Sequence, residues 1–564
     1  MMSVRRADRR QDHPLATACH SVPKASEKPF FHGVMALSLS TALVKVIGLF
    51  YKIPMLRFLT SVGMGYFNAA YEWYAMLCVL FTAGLPIAVS MLIAKAISRA
   101  ETDPSAWQAV DRVERLSLQI FFWLGLVGSL ALFFCADLIA HLIDSPMTAY
   151  TIRAVSPTVF FSCVSASYRG YFQGFQDMVP TAVSQLIEAI GKLLFGVLFA
   201  YFALRAGMEP PHVSAFAMLG LSLGVLISCI YLWAQRRKRF LKTTLRPAPV
   251  RCGPSLGKQL LTIAIPITLS SSVLSLTKIV DMTMILRCLQ NHGHTVDEAN
   301  ALYGIYTTMA VPIFNLVPAL LTSVSLALIP TLSAQISKGN RQAQRGTVST
   351  SMRLTALLAL PASMALAIYS RPVLALLFHA DANQLQLASP MLSLLALSIV
   401  FSGLMTTSNA ILQAYGHAKL PIYSMTAGCV IKLISAYILI SRPSLQLMGA
   451  PLSTLLCNAA IVGINLYYLH TRTDSIENLG KMLLQPLVSS LLSVGIPALA
   501  VAYLTRFGID QGLLFIGAVP ITLLFLLGFC QVFGMIDLRI LCSTGPMAKI
   551  TPYLQKFLPK LKKS

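Results

Sequence analysis

The stretch Ser38–Leu59, SLSTALVKVIGLFYKIPMLRFL, decides the fold class. It is apolar over the roughly 20 residues that an α-helix needs to cross a bilayer core. Yet it carries Lys45, Lys52 and Arg57. A charged side chain at the centre of an inserted helix costs about 2.5–3.5 kcal/mol, so such groups face a protein interior or a water-filled cavity. Lys45 and Lys52 are two helical turns apart and share a face. Gly48 lies between them and leaves space beside that face, and Pro54 is expected to kink the far end. The competing reading is that these amines snorkel to head groups. That suits Arg57, an interface anchor, and is open for Lys52, but it fits mid-span Lys45 poorly.

The same texture continues along the chain. Of 564 residues, 56% are hydrophobic and only 12% charged, with a mean hydropathy of +0.69. Soluble domains carry about twice that share of charge, so too few polar residues exist to coat a water-soluble enzyme. The apolar runs are continuous rather than alternating, which excludes a β-barrel. The reading is an all-α polytopic membrane protein, and at this length about fourteen transmembrane helices are predicted. They fall near 33–58, 68–98, 115–143, 148–174, 179–204, 212–235, 257–287, 301–336, 350–378, 386–412, 421–441, 446–470, 482–505 and 511–534.

The formal net charge of +23 sits mainly in the short connections. With the N-terminus inside, one set of connections gathers Arg99, Arg112, Arg115, Lys338, Arg341, Arg345, Lys419, Arg472 and Lys481. The opposite set holds Arg205, Arg371, Arg442 and Arg506, each nearly alone. This is the positive-inside pattern of a multi-pass protein with both termini cytoplasmic, not a nucleic-acid surface. The expected organisation is a cytosolic basic tail (1–30), an N-lobe of six spans (31–235), a basic cytosolic loop (236–256), a C-lobe of six spans (257–471), a helix pair (481–534) and an amphipathic basic C-tail (535–564). A weak repeat supports two halves. QGFQDMVPTAVSQLIEAIGKL (173–193) and QAYGHAKLPIYSMTAGCVIKL (413–433) place Lys192 and Lys432 at the same offset. Parallel repeats of this kind handle substrate at their interface.

The remaining intramembrane charges are read from helical spacing. Glu188 and Lys192 (i,i+4) and Lys278 and Asp281 (i,i+3) are expected to pair within their helices. Lys432 has no acid on its own helix, and Glu72 is expected to neutralise a first-span lysine. Arg153 and Arg169 are placed at head groups. Gly84 and Pro86 break the second span, which suits a helix that lines a cavity or bends. Lysines outnumber acids, so the interior favours an anion. The 11 cysteines contain no CxxC pair, and no metal site, HExxH or phosphate-binding loop occurs. No cofactor is expected.

The block from Gly33 to Ser98, with GLFYKIPMLRFL, GYFNAAY and TAGLPIAVSMLIAK, resembles the MurJ/SpoVB branch of the multidrug/oligosaccharidyl-lipid/polysaccharide (MOP) flippase superfamily. YRGYFQGFQDMVPTAVSQLIEAIGK (168–192) and ILQAYGHAKLPIYS (411–424) are similar to its later signatures. The resemblance implies fourteen helices: two six-helix lobes around a central cavity, and a C-terminal helix pair. It implies a bacterial plasma-membrane flippase that moves an anionic polyprenyl-pyrophosphate glycolipid, most simply the peptidoglycan precursor lipid II, by alternating access. Lys45, Lys52, Lys278, Lys432 and Glu72 are then the cavity candidates for pyrophosphate. Gly48, Pro54, Gly84, Pro86, Glu188, Lys192 and Asp281 are the structural or coupling candidates. The second-span arginine of the family has no counterpart here, where apolar residues surround Val79. Asp281 stands where relatives place one sodium-site acid, but the eleventh span has none, so sodium, protons and membrane potential alone all stay open as the driving term. Partners implied are the bilayer, the glycolipid and cell-wall synthesis proteins. The competing functions are a sporulation or polysaccharide lipid-glycan flippase, a multidrug cation antiporter, and a non-transporting scaffold for cell-wall enzymes.

Overall fold

The computed structural model describes residues 27–100, 107–242, 254–417, 419–473, 479–507 and 511–532. Residues 1–26 of the expected N-terminal tail, the basic C-tail and the centre of the 236–256 connection lie outside these residues, and α1 begins four residues inside the expected tail. Among the described residues every element is helical. The N-terminal half comprises α1 (Glu27–Thr82), α2 (Leu85–Ala100), α3 (Trp107–Phe134), the short α4 (Ala136–Leu142), α5 (Thr148–Gly174), α6 (Val179–Arg205) and α7 (Pro210–Lys242). The second half comprises α8 (Pro254–Asn291), α9 (Val296–Ile305), α10 (Val311–Ser337), α11 (Arg341–Ile368), the short α12 (Ser370–Phe378), α13 (Ala382–Ala414), α14 (Lys419–Ile440) and α15 (Gly449–Thr473). A final pair, α16 (Leu479–Leu504) and α17 (Gln511–Val532), packs on itself and on α11 and α12.

α1 is two spans. Thr60 alone within it leaves helical geometry (φ 62°, ψ 177°). In a continuous helix, Tyr51 and Phe67 would be about 24 Å apart. Their ring centroids are 6.0 Å apart, so the chain reverses at Thr60. Pro54, expected to mark the bend, stays inside the helix. The Gly84 break is present: α1 stops at Thr82 and α2 starts at Leu85. A Cβ on Gly84 would lie 2.2 Å from the Ala264 carbonyl oxygen of α8, so only glycine admits that approach.

Ten stretches among the described residues are long and apolar enough to cross a membrane, one of them the 59-residue Leu39–Ile97. α5 is absent from that set, for a physical reason. It runs through the centre of the N-lobe against α1, α2, α3 and α7. Three of its hydroxyls bond to neighbouring helices: Thr158 with Ser222 (2.5 Å), Ser167 with Ser117 (2.9 Å), Ser162 with Tyr74 (3.0 Å). A helix shielded from lipid need not be apolar all round. α6 and α7 cross with backbones in contact, Gly191 on Gly224 and Gly220 on Gly196.

The basic connection is shorter than expected, because α7 continues through Lys242. The extension is held by charge. Arg236 grips buried Glu114 through Nε (2.5 Å) and a second guanidinium nitrogen (2.9 Å), while Arg239 reaches Asp177 (3.4 Å) and lies over the Phe175 ring.

Candidate functional site

The two lobes meet along α1 and α2 on one side and α8, α9 and α10 on the other. At the Thr60 end the seam is sealed by polar contacts. Tyr66 donates to Asp297 (2.6 Å), Asn300 to Ser145 (3.0 Å) and Gln384 to Ser61 (2.9 Å), and Arg287 pairs with Asp144 (2.9 Å). Between them the backbones touch. A Cβ on Gly65 would lie 2.1 Å from the Asn300 carbonyl oxygen, and one on Gly304 would lie 2.2 Å from that of Ser61. The contact is reciprocal, with glycine four residues after its carbonyl partner's position in both helices. Farther along the seam, Gly84 meets the Ala264 carbonyl.

Between these two contacts lie the intramembrane charges. Lys52 Nζ donates to the Thr307 carbonyl (2.6 Å) and to Asn68 Oδ1 (3.5 Å), and Asn68 donates to Thr308 Oγ1 (2.8 Å). Both threonines belong to a π-helical turn, Tyr306–Ala310, between α9 and α10. Such turns spoil the regular i→i−4 ladder and recur at functional sites. Here the turn presents a carbonyl from one lobe to a lysine of the other. Glu72 lies in the electrostatic field of Lys52, as does Lys192.

The pairs expected from helical spacing are replaced by pairs between helices. Glu188 joins Arg169 (2.8 Å), whose Nε also donates to Ser184 (3.0 Å). Arg169 is therefore an interior residue and not a head-group anchor. Its partner sits across the tight α5–α6 turn, at similar depth. Lys192, released from Glu188, lies among three rings: 4.4 Å from the centroid of Tyr71, 5.0 Å from Tyr51 and 5.8 Å from Phe67. Buried Asp281 pairs with the partly buried Lys432 (3.0 Å), and not with Lys278. Lys278 is exposed, and so is Lys45, its electrostatic neighbour. No heavy atom comes within 4 Å of a Cβ built on Gly48. Arg153 pairs with Asp137 at the surface. Asn68, Thr307, Tyr71 and Arg169 were missed by sequence reasoning, because uncharged residues and cross-helix partners leave no spacing signal.

The interior thus holds Lys52, Lys192, Lys432 and Arg169 against Glu72, Glu188 and Asp281, with Lys45 and Lys278 exposed. Two of the three carboxylates are already committed to cations. Among the described residues no group of three or more histidine, cysteine or acidic side chains could hold a metal ion.

The model of the family described as polysaccharide biosynthesis protein matches residues 30–336, more than half of the chain. The chain belongs to the polysaccharide biosynthesis protein family. The MatE family model also matches, over residues 266–438. Two Bacillus subtilis proteins are similar to it over most of their length. Stage V sporulation protein B is 25% identical over 76% of this chain and 81% of its own. Lipid II flippase MurJ is 24% identical over 75% of this chain and 79% of its own. A solved structure of lipid II flippase MurJ in an inward closed conformation shares the fold, with a TM-score of 0.65 and 17% identity over 88% of this chain and 98% of that one.

Proposed function

We propose that this chain moves a polyprenyl-pyrophosphate-linked glycan, lipid II in the first instance, from the cytoplasmic to the outer leaflet of the plasma membrane. The observation that carries the reading is the wall formed by Lys52 and Lys192, whose ammonium groups are held by a carbonyl, an amide and aromatic rings rather than by a bound carboxylate. Their charge remains available to a phosphate group. The basic connections assign the Thr60 end to the outside. Head groups then enter where Gly84 and α8 part and leave where the Gly65–Gly304 crossing parts, while the polyprenyl tail stays in lipid. Lys45 and Lys278, exposed and mutually repelling, serve as the outlying cations that draw phosphate toward the wall.

The MatE match favours one second reading, a cation exporter. That chemistry requires uncommitted interior carboxylates, and here only Glu72 lacks an ion partner within 4.0 Å among the described residues. Reconstitution decides between them. Liposomes carrying fluorescent lipid II, a teichoic-type lipid precursor or an organic cation are assayed for transport by wild type and K52M. The expected result is glycolipid movement lost in K52M. Transport of the organic cation alone would overturn the proposal.

A further inference from the structure

Lys192 occupies an unusual seat. Tyr51, Phe67 and Tyr71 come from the two arms of the α1 hairpin and turn toward one ammonium carried by α6. Phe67 and Tyr71 stack with their planes 6° apart. Tyr51 and Phe67 are almost wholly buried, and the Tyr51 hydroxyl has no hydrogen-bond partner among the described residues. Gly196 admits that hydroxyl, since a Cβ there would stand 2.9 Å from it. The acid one turn before Lys192, Glu188, is withdrawn by Arg169. Three ring faces converging on a cation is the arrangement by which proteins recognise alkylammonium ligands.

We propose that Tyr51, Phe67 and Tyr71 form an alkylammonium-binding cage whose resident ligand is the chain's own Lys192, held by rings and not by a carboxylate in contact, so that its charge stays available to the cargo's phosphate. The cage is a site in its own right; the phosphate clause alone rests on the function proposed above. A ring quadrupole attracts a cation without neutralising it, whereas a carboxylate would cancel the charge and turn the wall neutral at that point. The tether also blocks the cage, so the wild-type chain offers no seat there to a free organic cation.

The test uses purified full-length protein in detergent and isothermal titration. Shortening the tether empties the cage: K192A is expected to bind tetramethylammonium at least tenfold more tightly than wild type, and K192A/Y71L to lose that gain. Equal binding by wild type and K192A, or by K192A with and without Y71L, would overturn the proposal. Should K192A fail to fold, Y71E and Y71F decide it by titration with inorganic pyrophosphate. The introduced carboxylate captures Lys192, so Y71E is expected at least tenfold weaker than Y71F. Equal affinities overturn the unquenched cage. A wild type that binds no pyrophosphate at all, with the K192A result intact, overturns the phosphate reading and leaves the cage standing.

Discussion

Lys432 and Asp281 are each other's ion partner at 3.0 Å, both in the protein interior. Asp281 Oδ1 has no hydrogen-bond partner among the described residues, so the ammonium is its main compensation. Breaking a buried pair by removing one member costs about 3–5 kcal/mol, because the other is left charged in a poor solvent. K432M is therefore expected to melt well below wild type in a thermal unfolding assay in detergent, and K432M/D281N to recover most of the loss. A K432M melting curve superimposed on wild type would show that the pair carries no such energy. This pair also shows where sequence reasoning stops. An i,i+3 or i,i+4 pair on an exposed helix face is worth only about 0.2–0.5 kcal/mol, too little to hold Lys278 against solvent or Glu188 against a guanidinium. Partners fixed by burial win instead, and those come from helices more than a hundred residues away or across a turn. The residue types of the site were legible; their pairing was not.

Helices were the legible level. Hydropathy alone placed them, since lipid demands internally satisfied backbones. Gly84 was visible as a break because glycine and proline punctuate an apolar run. The reversal was visible as the connection between the spans 33–58 and 68–98, but Thr60 itself was not marked, as FLTSVGMGYFN carries no charge or proline. Nor was the π-helical turn, which is set by packing. The glycine crossing at that end makes a prediction of its own. A methyl group on Gly65 cannot coexist with the Asn300 carbonyl at 2.1 Å, so G65A must push the two lobes apart there. Asn68 lies buried one turn deeper, bonded to Thr308. In a background otherwise free of reactive cysteines, N68C is expected to react with a membrane-impermeant maleimide added from the Thr60 side several-fold faster when G65A is also present. Unchanged labelling would show that the crossing does not hold that end shut.

For the molecule as a whole, the charge balance bears on what drives the cycle. α14 carries no aspartate or glutamate, and the single acid of α8, Asp281, is engaged by Lys432. A coupling cation would have to displace the tethered Lys432 ammonium from Asp281. The electrical term needs no such exchange. Each negative charge of the cargo moving outward gains about 2.3 kcal/mol per 100 mV of interior-negative potential. The positive wall gains in the same sense when it turns back empty toward the interior. Both half-cycles are thus favoured by one field. In liposomes with a potassium-diffusion potential, glycolipid transport is expected to speed up when the compartment that supplies the cargo is made negative and to slow when the sign is reversed. A sodium gradient at zero potential is expected to leave the rate unchanged. The opposite pattern, a rate that follows sodium and ignores potential, would mean that Lys432 leaves Asp281 during the cycle and that a free cation takes its place.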